Sequence, residues 1–195
     1  MQTKHYIVVV LVALLFNSCA QLKELVNFSK CDFKMGTLEN TLLAGINVQQ
    51  ITSITDLTLM QAAKVTKSVT ERKLPLSFTV NVDVRNPNTQ IAAMNKMEWI
   101  AFIDDVQIAT GILNDRIEVA ANNGVAKVPI NIAIDLFEVF GKDKGSSIVN
   151  FGLNLAGAGN QPSRVSLKIK PTILIANFPV TYPDYFTVSK EFSAN

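Results

Sequence analysis

Histidine and cysteine do most side-chain chemistry near neutral pH, and these 195 residues hold only His5, Cys19 and Cys31. Cleavage after residue 18 would remove His5 and leave a chain with no imidazole, the commonest general base and the commonest metal ligand. Without it, neither a Ser-His-Asp nor a Cys-His arrangement can be assembled, and a zinc site fails as well. No P-loop, EF-hand loop or HExxH sequence occurs. Gly157-Ala158-Gly159 follows a helical pattern and lacks a third glycine, which makes a poor dinucleotide loop. Asp104 and Asp105 are neighbours, and neighbours on a strand point to opposite faces. A hairpin tip explains them better than shared acid–base work, and two carboxylates supply too few oxygens for Ca²⁺. We therefore expect no catalytic residue, no cofactor and no metal. Cys31, left without a disulfide partner if Cys19 is acylated and with no base to activate it, reads as an inert, partly buried small hydrophobe.

Cys19 has another use. Lys4 gives a weakly positive start, Tyr6 to Phe16 is an unbroken apolar run, and Asn17-Ser18-Cys19 follows. Eleven apolar residues span roughly 16 Å as a helix, short of a ~30 Å hydrocarbon core. That length suits the apolar region of a secretory signal. Ser18 and Cys19 resemble the lipobox of bacterial lipoproteins, cut ahead of a cysteine whose sulfur carries diacylglycerol. Phe16 and Asn17 depart from its commonest form, and a signal peptide with a chance cysteine, or an uncleaved anchor, is the plainer alternative. The expected division is a signal peptide over residues 1–18, a lipidated terminus and tether over 19–32, and one domain over 33–192. The implied location is the cell envelope, as an outer-membrane lipoprotein on its periplasmic or surface face. Membrane contact would run through the diacylglyceryl cysteine. Seventeen basic against sixteen acidic residues remain beyond residue 18, a net charge of 17 − 16 = +1. That balance gives no reason to expect nucleic acid.

The elements that position these residues are mostly strands. Leu76, Phe78, Val80, Val82 and Val84 alternate with polar residues through Arg85, which predicts a strand with one buried face. Asn86-Pro87-Asn88 ends it, because proline has no ladder donor and asparagine favours turns. Further strands are expected over Lys96 to Ile103, Val106 to Leu113, Ile117 to Ala120, Val125 to Ile134, Val165 to Ile169 and Phe186 to Phe192. Asp104-Asp105 and Asn122-Asn123-Gly124 form the hairpin turns. Asp56 is expected to cap a helix through Val69, and Ser146 to Ala156 has helical spacing. The ten Phe beyond residue 18 and Trp99 read first as core, whereas Tyr182, Tyr185 and Phe186, clustered near Pro183, offer a small exposed contact patch as the second reading. The sum is an all-β-dominated antiparallel sandwich with one or two helices in its connections.

FTVNVDVRNPN, then Ile108-Ala109-Thr110-Gly111, then Val128-Pro129-Ile130, resembles the late embryogenesis abundant type 2 family, which contains the water stress and hypersensitive response domain. Asn86, Pro87, Asn88, Gly111 and Pro129 are the matching positions. Ile46 to Leu59 looks like the family's first strand and its approach to the core strand, and Phe178-Pro179 with Phe186 to Lys190 like its last strand. The resemblance implies an immunoglobulin-like, Greek-key sandwich, a structural role for those five residues, no catalytic site, and a link to desiccation or stress. The leading expectation is a non-enzymatic envelope module that binds or stabilises a neighbouring envelope component. A carrier of a small apolar ligand between the sheets, and an enzyme using carboxylates alone, stay open beside it.

Overall fold

The computed structural model describes residues 23–49, 51, 54–141, 163–175 and 178–192. In chain order these form helix α1 (residues 23–29), strands β1 (Asp32–Leu43) and β2 (Ile46–Asn47), a 3-10 turn (Ile54–Asp56) and helix α2 (Leu59–Thr70). Strands β3 (Pro75–Asn86), β4 (Ala92–Met94), β5 (Lys96–Ile103), β6 (Val106–Leu113), β7 (Ile117–Val119) and β8 (Gly124–Asp135) follow. Helix α3 (Leu136–Phe140) and strands β9 (Ser163–Ile175), β10 (Phe178–Thr181) and β11 (Phe186–Phe192) complete the described chain.

Alternation does in space what it promises in sequence. Leu76, Phe78, Val80, Val82 and Val84 of β3 are all buried, and so are Val128, Ile130 and Ile132 of β8. β3 and β8 pair without a slip from Pro75 opposite Asp135 to Asn86 opposite Gly124. With β1 and β2 they form an antiparallel sheet ordered β2-β1-β3-β8. The second sheet is β6-β5-β9, whose far edge is β11 along the first half of β9 and β10 along its end. Met97, Ala101 and Ile103 of β5 join Val165, Leu167 and Ile169 of β9 in one apolar cluster with the first sheet. The fold is an antiparallel β-sandwich. Each fully buried Val, Leu or Ile contributes about 1.5–3 kcal/mol to it.

The Asp104-Asp105 turn has both residues in the left-handed region, φ 46° and 66°, as a two-residue hairpin demands. Several expectations need correction. The first described strand is β1, not Ile46 to Leu59; among the described residues of that stretch only Ile46–Asn47 is strand. α2 is capped by Thr58 rather than Asp56, because Thr58 and Gln61 satisfy each other's backbone N–H groups in a capping box. Asn122 and Asn123 do reverse the chain with positive φ, but β7 pairs with β4 and not with β8. Residues 23–31, taken above as part of the tether, pack into the domain through Leu25, Phe28 and Cys31. The helix expected over Ser146 to Ala156 lies outside the described residues, as does Cys19.

β3 also defines two poles. α2, α3 and the β1–β2 turn lie at its Pro75 end, and Leu43 pairs with Leu76 there. α1 and the turn into β8 lie at its Asn86 end, where Asp32 pairs with Arg85. Twelve residues at ~3.3 Å each separate these poles by about 40 Å.

Candidate functional site

The Asn86-Pro87-Asn88 corner is the densest polar feature of the described molecule. Asn86 is completely buried (0% exposed). Its Nδ2 donates to the carbonyls of Gln90 (2.9 Å), Val119 (3.0 Å) and Ala120 (3.2 Å). Its Oδ1 accepts from the backbone N–H of Asn88 (3.0 Å) and from Asn88 Nδ2 (2.7 Å). A buried amide with every donor and acceptor engaged rigidifies its surroundings, since each group would cost free energy if left unpaired. Asn88 Nδ2 also donates to the Asn27 carbonyl of α1 (3.0 Å), and Asn27 Nδ2 donates to the Ile91 carbonyl (3.2 Å). The backbone N–H groups of Asn122 and Asn123 reach the carbonyls of Asn88 and Asn86. Five segments thus meet at this corner: the ends of β3 and β7, the loop before β4, the turn before β8, and α1. Pro87 stands exposed and stops the ladder.

Gly111 and Pro129 are placed apart from that corner, and each has its own packing reason. Gly111 sits directly opposite Trp99 in the β5–β6 ladder. A Cβ on Gly111 would lie 2.2 Å from Trp99 Cζ2 and 2.6 Å from Cε2, so the indole lies across the glycine. Gly111→Ala should force the ring off its site at a cost of about 1–3 kcal/mol, the range for overpacking. Trp99 is the sole tryptophan, so its emission maximum reports the displacement directly; an unmoved spectrum and midpoint would contradict this packing. Pro129 lies on β8, the outer strand of its sheet, where a missing N–H is tolerated.

Cys31 is buried at the end of α1, its thiol donating to the Asn27 carbonyl (3.4 Å). Burial, then the neighbouring Asp32 carboxylate, pushes its pKa from an ordinary 9.0 up to about 11. In a Cys19→Ala chain, iodoacetamide at pH 8 should leave Cys31 unmodified until denaturant is added. The unfolded thiol ionises first, so this residue's contribution to stability is intact below pH 9 and lost between about 9 and 11. Rapid native alkylation at pH 8 would overturn both statements.

The acids singled out above, and most of the aromatics, are used structurally, whereas Phe178, expected in the core, stands 74% exposed on β10. Asp104 Oδ1 accepts from the Arg164 backbone N–H (2.8 Å), and Asp105 pairs with the Arg164 guanidinium (2.5 Å), tying the hairpin tip to the start of β9. Tyr182 stacks on Phe186 (4.8 Å), Phe186 on Phe33 (5.2 Å), and Phe33 meets Phe28 edge-on (5.5 Å). Two of the three residues in the expected contact patch therefore interact, and their column runs inward to α1. Tyr185 remains exposed, with Lys170 Nζ 5.1 Å from its ring centre. Among the described residues no three His, Cys, Asp or Glu side chains converge on a metal-sized site, and no helix is long and apolar enough to cross a membrane. Phe28 and Trp99 do belong to or pack against the core, as read, but the junction made by Asn27 and the seat of Trp99 over Gly111 went unread in the sequence. Only Trp99 had a signal, a large ring beside a glycine-ended strand.

No family model matches the chain, and no curated protein matches it. Solved structures are similar at low identity. A protein from Archaeoglobus fulgidus is 15% identical, covering 62% of this chain and 86% of its own, with a TM-score of 0.34. A solution structure from Arabidopsis thaliana is 15% identical over 63% of this chain and 72% of its own, TM-score 0.39. A solution structure described as a candidate late embryogenesis abundant protein is 11% identical, covers 97% of this chain and 87% of its own, and has a TM-score of 0.39.

Proposed function

We propose that this is a non-enzymatic, lipid-anchored envelope module of the late embryogenesis abundant type 2 kind. In this reading the chain is cut ahead of Cys19, diacylglycerol on that sulfur holds it to the membrane, and the sandwich binds or stabilises a neighbouring envelope component. The observation that carries the reading is the start of the fold. α1 is already docked at residues 23–29, so three residues, Ala20 to Leu22, separate Cys19 from packed structure. At ~3.5 Å per residue the four steps from Cys19 to Lys23 span at most about 14 Å. A domain held that close to its acyl chains is built for work at a membrane surface.

The order of the Asn86-Pro87-Asn88, Gly111 and Pro129 motifs supports the family assignment, and with it a role in drying or stress. Against the carrier, Val80, Ile130, Ile132 and Leu167 occupy the space between the sheets where an apolar ligand would lie. Against carboxylate chemistry, Asp104 and Asp105 are engaged by Arg164 at a hairpin tip. Cells fed a clickable fatty acid should label the wild-type protein and not Cys19→Ala; equal labelling of the two sinks the anchor. Cross-linking in intact envelopes then identifies the neighbour, and survival of a deletion strain after drying tests the stress role.

A further inference from the structure

We propose that the Asn86 pole of the sandwich rests on the lipid surface, with Val26, Ile91 and Phe178 as its apolar contacts. The proposal rests on the anchor reading and adds an orientation to it. The chain preceding the described fold ends at this pole: α1 is bonded there through Asn27 to Asn88 and Ile91, and through Glu24 to Arg116 (3.0 Å). With at most about 14 Å between Cys19 and Lys23, a bilayer holding the acyl chains lies against this end of the molecule.

Its surface fits that occupant. Leu25 and Phe28 turn inward from α1, which leaves Val26 on the outer side, 43% exposed. Ile91, whose carbonyl accepts from Asn27, is 50% exposed. Phe178, at the β9–β10 hairpin, is 74% exposed. That hairpin belongs to the same pole, because Asn95, next to β4, bonds the backbone of Thr172 and Leu174 at the end of β9. Lys23 and Lys30 stand exposed on α1 and just past it, cations suited to an anionic headgroup layer. Arg116 pairs with both Glu24 and Glu118, which leaves one negative charge there against the two lysines, and Arg85 pairs with Asp32. Leu59 and Met60 are also exposed, but on α2, whose Lys64 reaches the Gly45 carbonyl at the β1–β2 turn (3.5 Å) and whose last turn leads into the Pro75 end of β3, away from the tether.

The test uses the full, lipidated protein in vesicles of phosphatidylethanolamine with one-fifth phosphatidylglycerol. Ile91→Cys, Phe178→Cys and Met60→Cys are each labelled with an environment-sensitive dye, buried Cys31 staying unlabelled. Flotation reads the anchor, and quenching by nitroxide lipids reads the seat. The expected result is flotation of all three, with a blue shift and quenching at positions 91 and 178 and neither at 60. Floating protein whose dyes at 91 and 178 stay water-like, or whose dye at 60 shifts equally, overturns the seat and leaves the anchor standing. Protein that fails to float removes both.

Discussion

Asn86→Ala should cost the domain about 3–5 kcal/mol, the combined effect of several lost buried hydrogen bonds. At roughly 2–4 °C per kcal/mol for a domain of this size, the melting midpoint falls by about 6–20 °C. The carbonyls of Val119 and Ala120 and the N–H of Asn88 lose a partner at a site too enclosed for water to serve all of them. Because the corner joins α1 to the ends of β3 and β7, the loss is global rather than a local fraying. Asn86→Asp is the sharper variant. It keeps the acceptor for Asn88 but points a carboxylate at three carbonyls, so it should be at least as damaging near neutrality. Protonating that carboxyl restores one donor, so the stability of Asn86→Asp should rise as pH falls, opposite to the usual behaviour of a paired acid. Pro87→Ala, at an exposed position, should cost less than ~1 kcal/mol. Urea midpoints of the three variants, compared at pH 5 and pH 8, check the set. An Asn86→Ala midpoint close to that of Pro87→Ala would show that the corner is ornamental.

The corner also shows where reading a sequence stops. β3 and β11 are legible to within a residue because each has one dry and one wet face, which imposes period 2, whereas β5 and β6 are legible because the Asp104-Asp105 turn fixes the hairpin between them. β1 has the same two faces, but register shifts between Met35 and Leu38 and again between Glu39 and Leu42 reset its alternation twice, leaving no run long enough to see. Asn122 and Asn123 correctly announce a reversal. Which strand β7 then joins depends on Ala92, Ala93 and Met94, some 25 residues earlier, and on Asn86 occupying the Val119 carbonyl. Asn86 itself reads as a strand stop. Its partners lie up to 34 residues away, so its work as a buried junction is set by tertiary placement and leaves no local pattern.

Phe28→Ala tests whether α1 is part of the fold or an appendage to it. Phe28 is fully buried and meets Phe33 edge-on, and removing such a ring costs about 3–5 kcal/mol when the cavity cannot collapse. A helix of this length is not stable alone in water, so without its anchoring ring α1 should detach. Two readouts then move together. The global unfolding midpoint falls, and Cys31, covered by α1 and bonded to the Asn27 carbonyl, becomes open to alkylation below the global transition. If α1 is instead a separate unit, Cys31 opens while the midpoint holds. If neither changes, the helix contributes nothing to the domain. The first outcome has a mechanical consequence. With α1 released, the tether runs from Cys19 to Asp32, thirteen residues reaching about 45 Å in place of about 14 Å. The dyes at positions 91 and 178 should then lose contact with the bilayer while the protein still floats, because the ring that packs the core also sets the distance between the fold and its anchor.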